Sequence, residues 1–198
     1  KITNNLDRQD TLRNLFLLER GSLKNAGVLF FCHRITKFFM QGISTCVLYA
    51  GTTRKNILDK KEFNAYILSN YENSYNYIVS KLNTNYIIGR EREEMLELPS
   101  DALREALINA FVHRDYFSSG HIQIDIFLDR VEISNPGGLV RGLTQKDFGR
   151  VSLPRNPLLM DLMLRANKVE RVGSGIERIR DGMKQYRRSV KFDISPDW

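Results

Sequence analysis

The chain has 198 residues, 42% of them hydrophobic, with a net charge of +7 and an isoelectric point near 9.5. This length allows one large domain or two small ones, and the composition suits a globular core. No apolar run approaches the roughly 18 residues that cross a bilayer, which excludes a membrane-spanning role at this level.

The polar start Lys1-Ile-Thr-Asn-Asn5 carries no secretory signal, so a cytoplasmic protein is expected. The chain begins at Lys1 rather than Met, as a fragment would. Cys32 and Cys46 lie in apolar surroundings without CxxC or His-rich spacing, which fits reduced core thiols better than a zinc site. The positive charge permits a nucleic-acid partner. Its densest cluster is Arg178, Arg180, Lys184, Arg187 and Arg188. A solvated helix face is the simpler reading there, and phosphate binding is the alternative.

In chain order, Asp10 to Leu18 reads as a helix and Gly21-Ser22 as a turn. Ala26 to Phe31 reads as a buried strand, rich in Val and Phe, and Ser44 to Ala50 as another strand. Asp59 to Asn83 shows helical periodicity. Phe63, Ile67, Tyr71, Tyr75, Ile78 and Leu82 recur every three or four residues, as a core stripe does. The charged stretch Gly89 to Glu94 is the best boundary. It divides the chain into a small α/β segment at 1–95 and a second domain at 96–198.

In the second part, Ser100 is the expected N-cap of a helix over Asp101 to His113. His121 to Leu128 alternates, placing Ile122, Ile124, Ile126 and Leu128 on one face, and Val131 to Ser134 returns as its hairpin partner. Helices are expected from Asn156 to Ala166 and from Gly175 to about Tyr186. A last strand is expected near Val190 to Ile194. The resulting class is α/β in the α+β sense, with two layers.

Three motifs carry chemistry. In Glu105-Ala-Leu-Ile-Asn109, a carboxylate and a carboxamide stand one turn apart. They share a face distinct from the stripe of Leu103, Leu107, Ala110 and Phe111. The carboxylate can orient or deprotonate water, and the amide oxygen can ligate Mg²⁺. In Asn135-Pro-Gly137-Gly138, paired glycines after a strand let a ligand approach the backbone. In Gly173-Ser174-Gly175, glycines before a helix expose N–H groups to an anion. Taken alone, each motif reads more simply as an exposed polar pair, a turn or a helix cap. Their order is what carries weight.

That order resembles the N box and the two glycine boxes of GHKL nucleotide-binding modules. Longer stretches carry a family resemblance: Leu98 to Tyr116, Asp129 to Gly138, Arg155-Asn-Pro157 and Val169 to Ile176. They resemble a prokaryotic family of transcriptional regulators and RecG-like "ATP-dependent DNA helicase-related" proteins. These join an AlbA-like (Schlafen-type) domain to a divergent GHKL domain. The resemblance implies a two-layer Bergerat-type sheet-and-helix module at 96–198, preceded by a small α/β unit that ends an AlbA-like region. It implies ATP and Mg²⁺ as cofactors. Glu105 would be the general base, and Asn109 the Mg²⁺ ligand. His113 and Arg114 would sit near the phosphates, with Asn135 at the adenine and Gly137 and Gly138 flooring the base pocket. Gly173, Ser174 and Gly175 would hold phosphate oxygens.

The family pattern has Asp where this chain has Asn135, whose oxygen accepts the same hydrogen bond without the charge. Hydrolysis is therefore expected to be slow or absent. No GxxxxGK[ST] phosphate loop is present, so the sequence offers no helicase motor. DNA would be contacted through regions outside this chain, and a homodimer is expected by analogy alone. Two other readings stand beside this one. In one, a degenerate structural or dimerisation module binds no nucleotide. In the other, a basic module binds nucleic acid directly.

Overall fold

A computed structural model describes residues 7–88, 92–168 and 175–196. Helix α1 (Arg8–Asn14) ends where Phe16 takes a positive φ. Strands β1 (Leu18–Glu19) and β2 (Ser22–Leu23) form a hairpin. Its two-residue turn, Arg20-Gly21, has φ of 49° and 82°, the left-handed pair that matches strand twist.

Helix α2 (Asn25–Phe31) corrects the strand expected at Ala26 to Phe31. A six-residue apolar run carries no periodicity that separates strand from buried helix. Packing decides: Gly27 lies against Leu23 and Leu17, and Leu29 is buried in the main core. Strand β3 (Ser44–Tyr49) is the one expected there.

The helix expected from Asp59 begins later. Strand β4 (Ile57–Phe63) pairs antiparallel with β3, and helix α3 (Ile67–Lys81) follows. Residues 59–62 are Asp-Lys-Lys-Glu, with no apolar stripe to bury as a helix, and they suit a charged sheet edge. Buried Asn70 marks the switch: its side chain accepts from the Ala65 N–H and donates to the Ala65 carbonyl, each at 2.9 Å. Strands β5 (Thr84–Ile88) and β6 (Arg92–Leu96) form a separate antiparallel ribbon.

Helix α4 (Ser100–His113) starts at the expected N-cap residue itself. Pro99 occupies the cap position, and no side chain caps the helix. Strands β7 (Ile122–Ile126) and β8 (Val131–Ser134) form the expected hairpin. Ile122, Ile124 and Ile126 are buried, while Leu128, past the strand end, is 77% exposed. Helices α5 (Pro157–Arg165) and α6 (Gly175–Gln185) follow. The strand expected near Val190 to Ile194 is irregular chain instead. There Phe192 packs on Phe148, and the carbonyls of Ser195 and Pro196 cross Gly138.

The main sheet has the order β4-β3-β7-β8 and is mixed, with β3 and β7 parallel. It crosses the boundary expected near residue 95, taking two strands from each side. The core does the same: Cys46, Ile67 and Ile78 join Leu107, Phe111 and Ile124 in one cluster. Helices α3 and α4 lie on this inner face, giving an α+β fold of two layers. On the outer face, Tyr49 and Phe127 stack at 4.8 Å, and Arg130 lies 4.0 Å over the Phe127 ring.

Candidate functional site

Glu105, Asn109 and His113 stand at successive four-residue intervals along α4, so their side chains line one face. That face forms a wall of a cleft of about 400 Å³. The other walls are Ile133, the turn Asn135 to Leu139, the loop from Val140 to Pro154, the first turns of α6 and the segment 191–194. Much of the lining is apolar, including Leu139, Val140, Met160, Ile176 and Ile179. Of the charged lining residues, Lys191 and Asp193 pair with each other at the solvent edge, 82% and 79% exposed.

Glu105 is only 12% exposed and engages both oxygens. Oε1 accepts from Asn109 Nδ2 at 3.3 Å, and Oε2 pairs with Arg178 Nη2 at 2.9 Å. Gly175, the first residue of α6, sits on this pair. A Cβ there would strike the Glu105 carboxylate and lie 3.3 Å from Asn109 Nδ2. The glycine thus allows the end of α6 to close on the α4 carboxylate. Burial, with the nearby Arg155 charge second, lowers the His113 pKa from its ordinary 6.5, so the ring is neutral at pH 7.

The glycine turn is built by backbone contacts. Gly137 has φ +104°, and a Cβ there would lie 2.9 Å from Asp115 Cβ. Asp115 N–H donates to the Pro136 carbonyl at 2.8 Å, tying the turn to the end of α4. Arg155 and Asn156 complete the tie. Arg155 donates to the carbonyls of His113 (3.1 Å) and Gly138 (2.7 Å). Asn156 Nδ2 donates to the carbonyls of Val112 and Arg114, each at 2.8 Å. These satisfy carbonyls that the last turn of a helix leaves unpaired.

The structure therefore gathers Glu105, Asn109, His113, Asn135, Gly137, Gly138 and Gly175 around one cleft. It does not bring Arg114 there. Arg114 is fully buried, donates to the carbonyls of Gln41 and Gly120, and lies 4.6 Å over the Tyr116 ring. Gly173 and Ser174 lie outside the described residues.

Sequence reasoning missed Arg178 as a site residue, seeing only a member of a basic cluster. The available signal was its place one helical turn after Gly175. It also missed Phe148 and Phe192, which approach to 5.3 Å and line the cleft. These two are far apart in sequence, and no local pattern joins them. Among the described residues, no group of three or more His, Cys, Asp or Glu could hold a metal ion, and no helix is long and apolar enough to cross a membrane.

Residues 119–195 match the family model described as "Putative ATP-dependent DNA helicase recG C-terminal". An ATPase-like, helicase-related domain is indicated. The matched segment holds the glycine turn, α5, α6 and the C-terminal segment, while Glu105 and Asn109 lie upstream of it. No curated protein matches the chain. Among solved structures, the DIP2311 protein from Corynebacterium diphtheriae is similar, with a TM-score of 0.72 and 25% identity over 90% of this chain. The chain spans 36% of that protein's length.

Proposed function

We propose that the chain is the nucleotide-binding module of a transcriptional-regulator-type protein. The module takes ATP with Mg²⁺ in the cleft and modulates DNA binding by regions outside this chain. The observation that carries this is the convergence of an α4 carboxylate and carboxamide, the Asn135 glycine turn and the Gly175 helix start around one space of ligand size. The ATPase-like family match supports the nucleotide, and the basic charge is compatible with a DNA-bound assembly.

The residues present fit this ligand. Ile133, Leu139 and Val140 offer apolar walls to a base, and Asn135 offers an acceptor and donors to its edge. Mg²⁺ is commonly held by one or two side-chain oxygens, with phosphate and water completing its shell. Asn109 can supply such an oxygen. When bound, the ion would neutralise phosphate charge. Glu105 is the candidate base, but Arg178 and Asn109 already engage its oxygens, which makes slow hydrolysis the expected behaviour.

A second reading has its own support. Arg114, Arg155 and Asn156, all within the family-like signatures, serve backbone carbonyls. On that reading the signatures preserve a scaffold and the cleft takes no nucleotide. Calorimetric titration with ATP and Mg²⁺ separates the two. Saturable binding that Asn109→Ala weakens in the presence of Mg²⁺ supports the nucleotide site. Absence of binding to the folded wild-type protein supports the scaffold.

A further inference from the structure

We propose that the loops at 38–41 and 115–120 form a platform for single-stranded nucleic acid, where exposed aromatic rings take unpaired bases and basic side chains take phosphates. None of the platform side chains, Phe38, Met40, Phe117, Arg34 and Lys37, lines the cleft, and the platform stands whether or not the cleft takes a nucleotide.

Phe38, Met40 and Phe117 are 65%, 79% and 82% exposed. Large apolar side chains left together in water mark a binding surface. These three gather around one buried ring. Phe39 lies 6.1 Å from each of the Phe117 and Tyr116 rings, and Phe38 and Met40 flank it in the chain. The two loops are held from beneath, because the fully buried Arg114 donates to the carbonyls of Gln41 and Gly120, one in each loop. Within the loops, Phe117 N–H donates to the Asp115 carboxylate at 2.9 Å and Gly42 N–H to the Phe39 carbonyl at 2.8 Å. The rings are thus presented on ordered backbone, which lowers the entropic cost of binding.

Charge selects the occupant. From Arg20 to Leu58 the sequence has no Asp or Glu. Arg34 and Lys37, which lead into the first loop, are exposed and make no ion pair among the described residues. Arg114 adds a cation below the surface, and its Nε and Nη1 have no hydrogen-bond partner among the described residues. A buried charge is weakly screened, so its field reaches the loops above it. Asp115 is the acid of these loops, half-buried and engaged by the Phe117 N–H, and the cations outnumber it. Flat rings beside cations fit a single strand, because every base has a face to stack and every linkage a charge to neutralise. A bilayer calls for a cluster of about four to eight cations or an amphipathic helix. The adjacent helix α2 has seven residues and buries Gly27 and Leu29 in the protein.

The test is fluorescence anisotropy of a labelled oligothymidylate of about twelve nucleotides, alone and in duplex, without ATP. It uses the wild-type protein, Phe38→Ala, Phe117→Ala, Lys37→Gln and, from the C-terminal basic cluster, Arg187→Gln. All four positions are exposed, so each variant keeps the fold. The expected result is a wild-type preference for the single strand. Phe38→Ala and Phe117→Ala each weaken it about tenfold. Lys37→Gln weakens it and makes the slope of log affinity against log salt shallower by about 0.7, while Arg187→Gln leaves binding unchanged. An equal loss in Arg187→Gln and Lys37→Gln, with none in the two phenylalanine variants, reduces binding to diffuse charge attraction and overturns the platform. Equal affinity for the duplex, no binding of the single strand by the wild-type protein, or binding of phosphatidylserine vesicles in its place also overturns it.

Discussion

Asn156 shows how much one side chain can do here. Its single amide nitrogen serves two carbonyls at the end of α4, and replacing it leaves both without that donor. An unpaired buried polar group costs about 1–3 kcal/mol, so Asn156→Ala is expected to destabilise the protein by about 2 kcal/mol in denaturant titration. Asn156→Asp keeps the shape but cannot donate, and it should fare no better. His113 makes a prediction in pH. Its folded pKa is depressed below the ordinary 6.5, so the unfolded chain binds more protons as the pH falls. Stability should be flat above the unfolded value and decline as the pH drops below 6.5 toward the folded value. His113→Gln should flatten that decline, and an identical slope in both proteins would contradict the assignment. At this scale, the pairing of Glu105 with Asn109 was legible because four-residue spacing puts side chains on one helix face. The place of Arg114 was not. α4 ends at His113, and Arg114 has extended backbone (φ −57°, ψ 140°), so it leaves the face its sequence neighbour occupies.

Among the elements, the C-terminal segment and α6 close the cleft by different means. Segment 190–196 crosses Gly138 by backbone: a Cβ at Gly138 would strike the Pro196 carbonyl and lie 2.6 Å from the Ser195 oxygen. Neither can swing away as a side chain tip does. Gly138→Ala should therefore loosen this segment, seen as faster amide exchange over residues 190–196. The matching change at Gly175 meets the flexible end of Glu105, so Gly175→Ala should break the Glu105–Arg178 pair with little loss of fold. Equal exchange of segment 190–196 in wild type and Gly138→Ala would remove the first of these roles. The elements that were legible are those with a period: α4 through its buried stripe and β7 through its alternation. α2 was misread because its apolar run is too short to show one. β4 was absorbed into a helix because Phe63 stands, by spacing alone, on the α3 stripe.

At the scale of the whole molecule, one sheet and one core join residues from both halves of the chain, so the cleft is carried by a shared scaffold. A local reading could not see this, because the parallel pairing of β3 with β7 joins segments more than seventy residues apart. The sheet also has a second polar network on its outer face. There Asp125 is almost fully buried and held by Arg54 (2.9 Å) and Gln123 (2.6 Å). It braces the hairpin whose end supplies Asn135, since Arg54 also reaches Glu132 of β8 at 2.6 Å. The cleft thus rests on a braced sheet on one side and on the tied end of α4 on the other.

Thermal unfolding with and without millimolar ATP and Mg²⁺ reads directly whether this cleft takes the nucleotide. A ligand present at about a hundred times its dissociation constant adds roughly 2.7 kcal/mol to stability. For a chain of this size that corresponds to a rise of about 5–10 °C in Tm. That rise is expected in the wild-type protein, with its loss in Asn109→Ala and its retention in Glu105→Gln. An unchanged Tm in the folded wild-type protein would contradict the nucleotide reading.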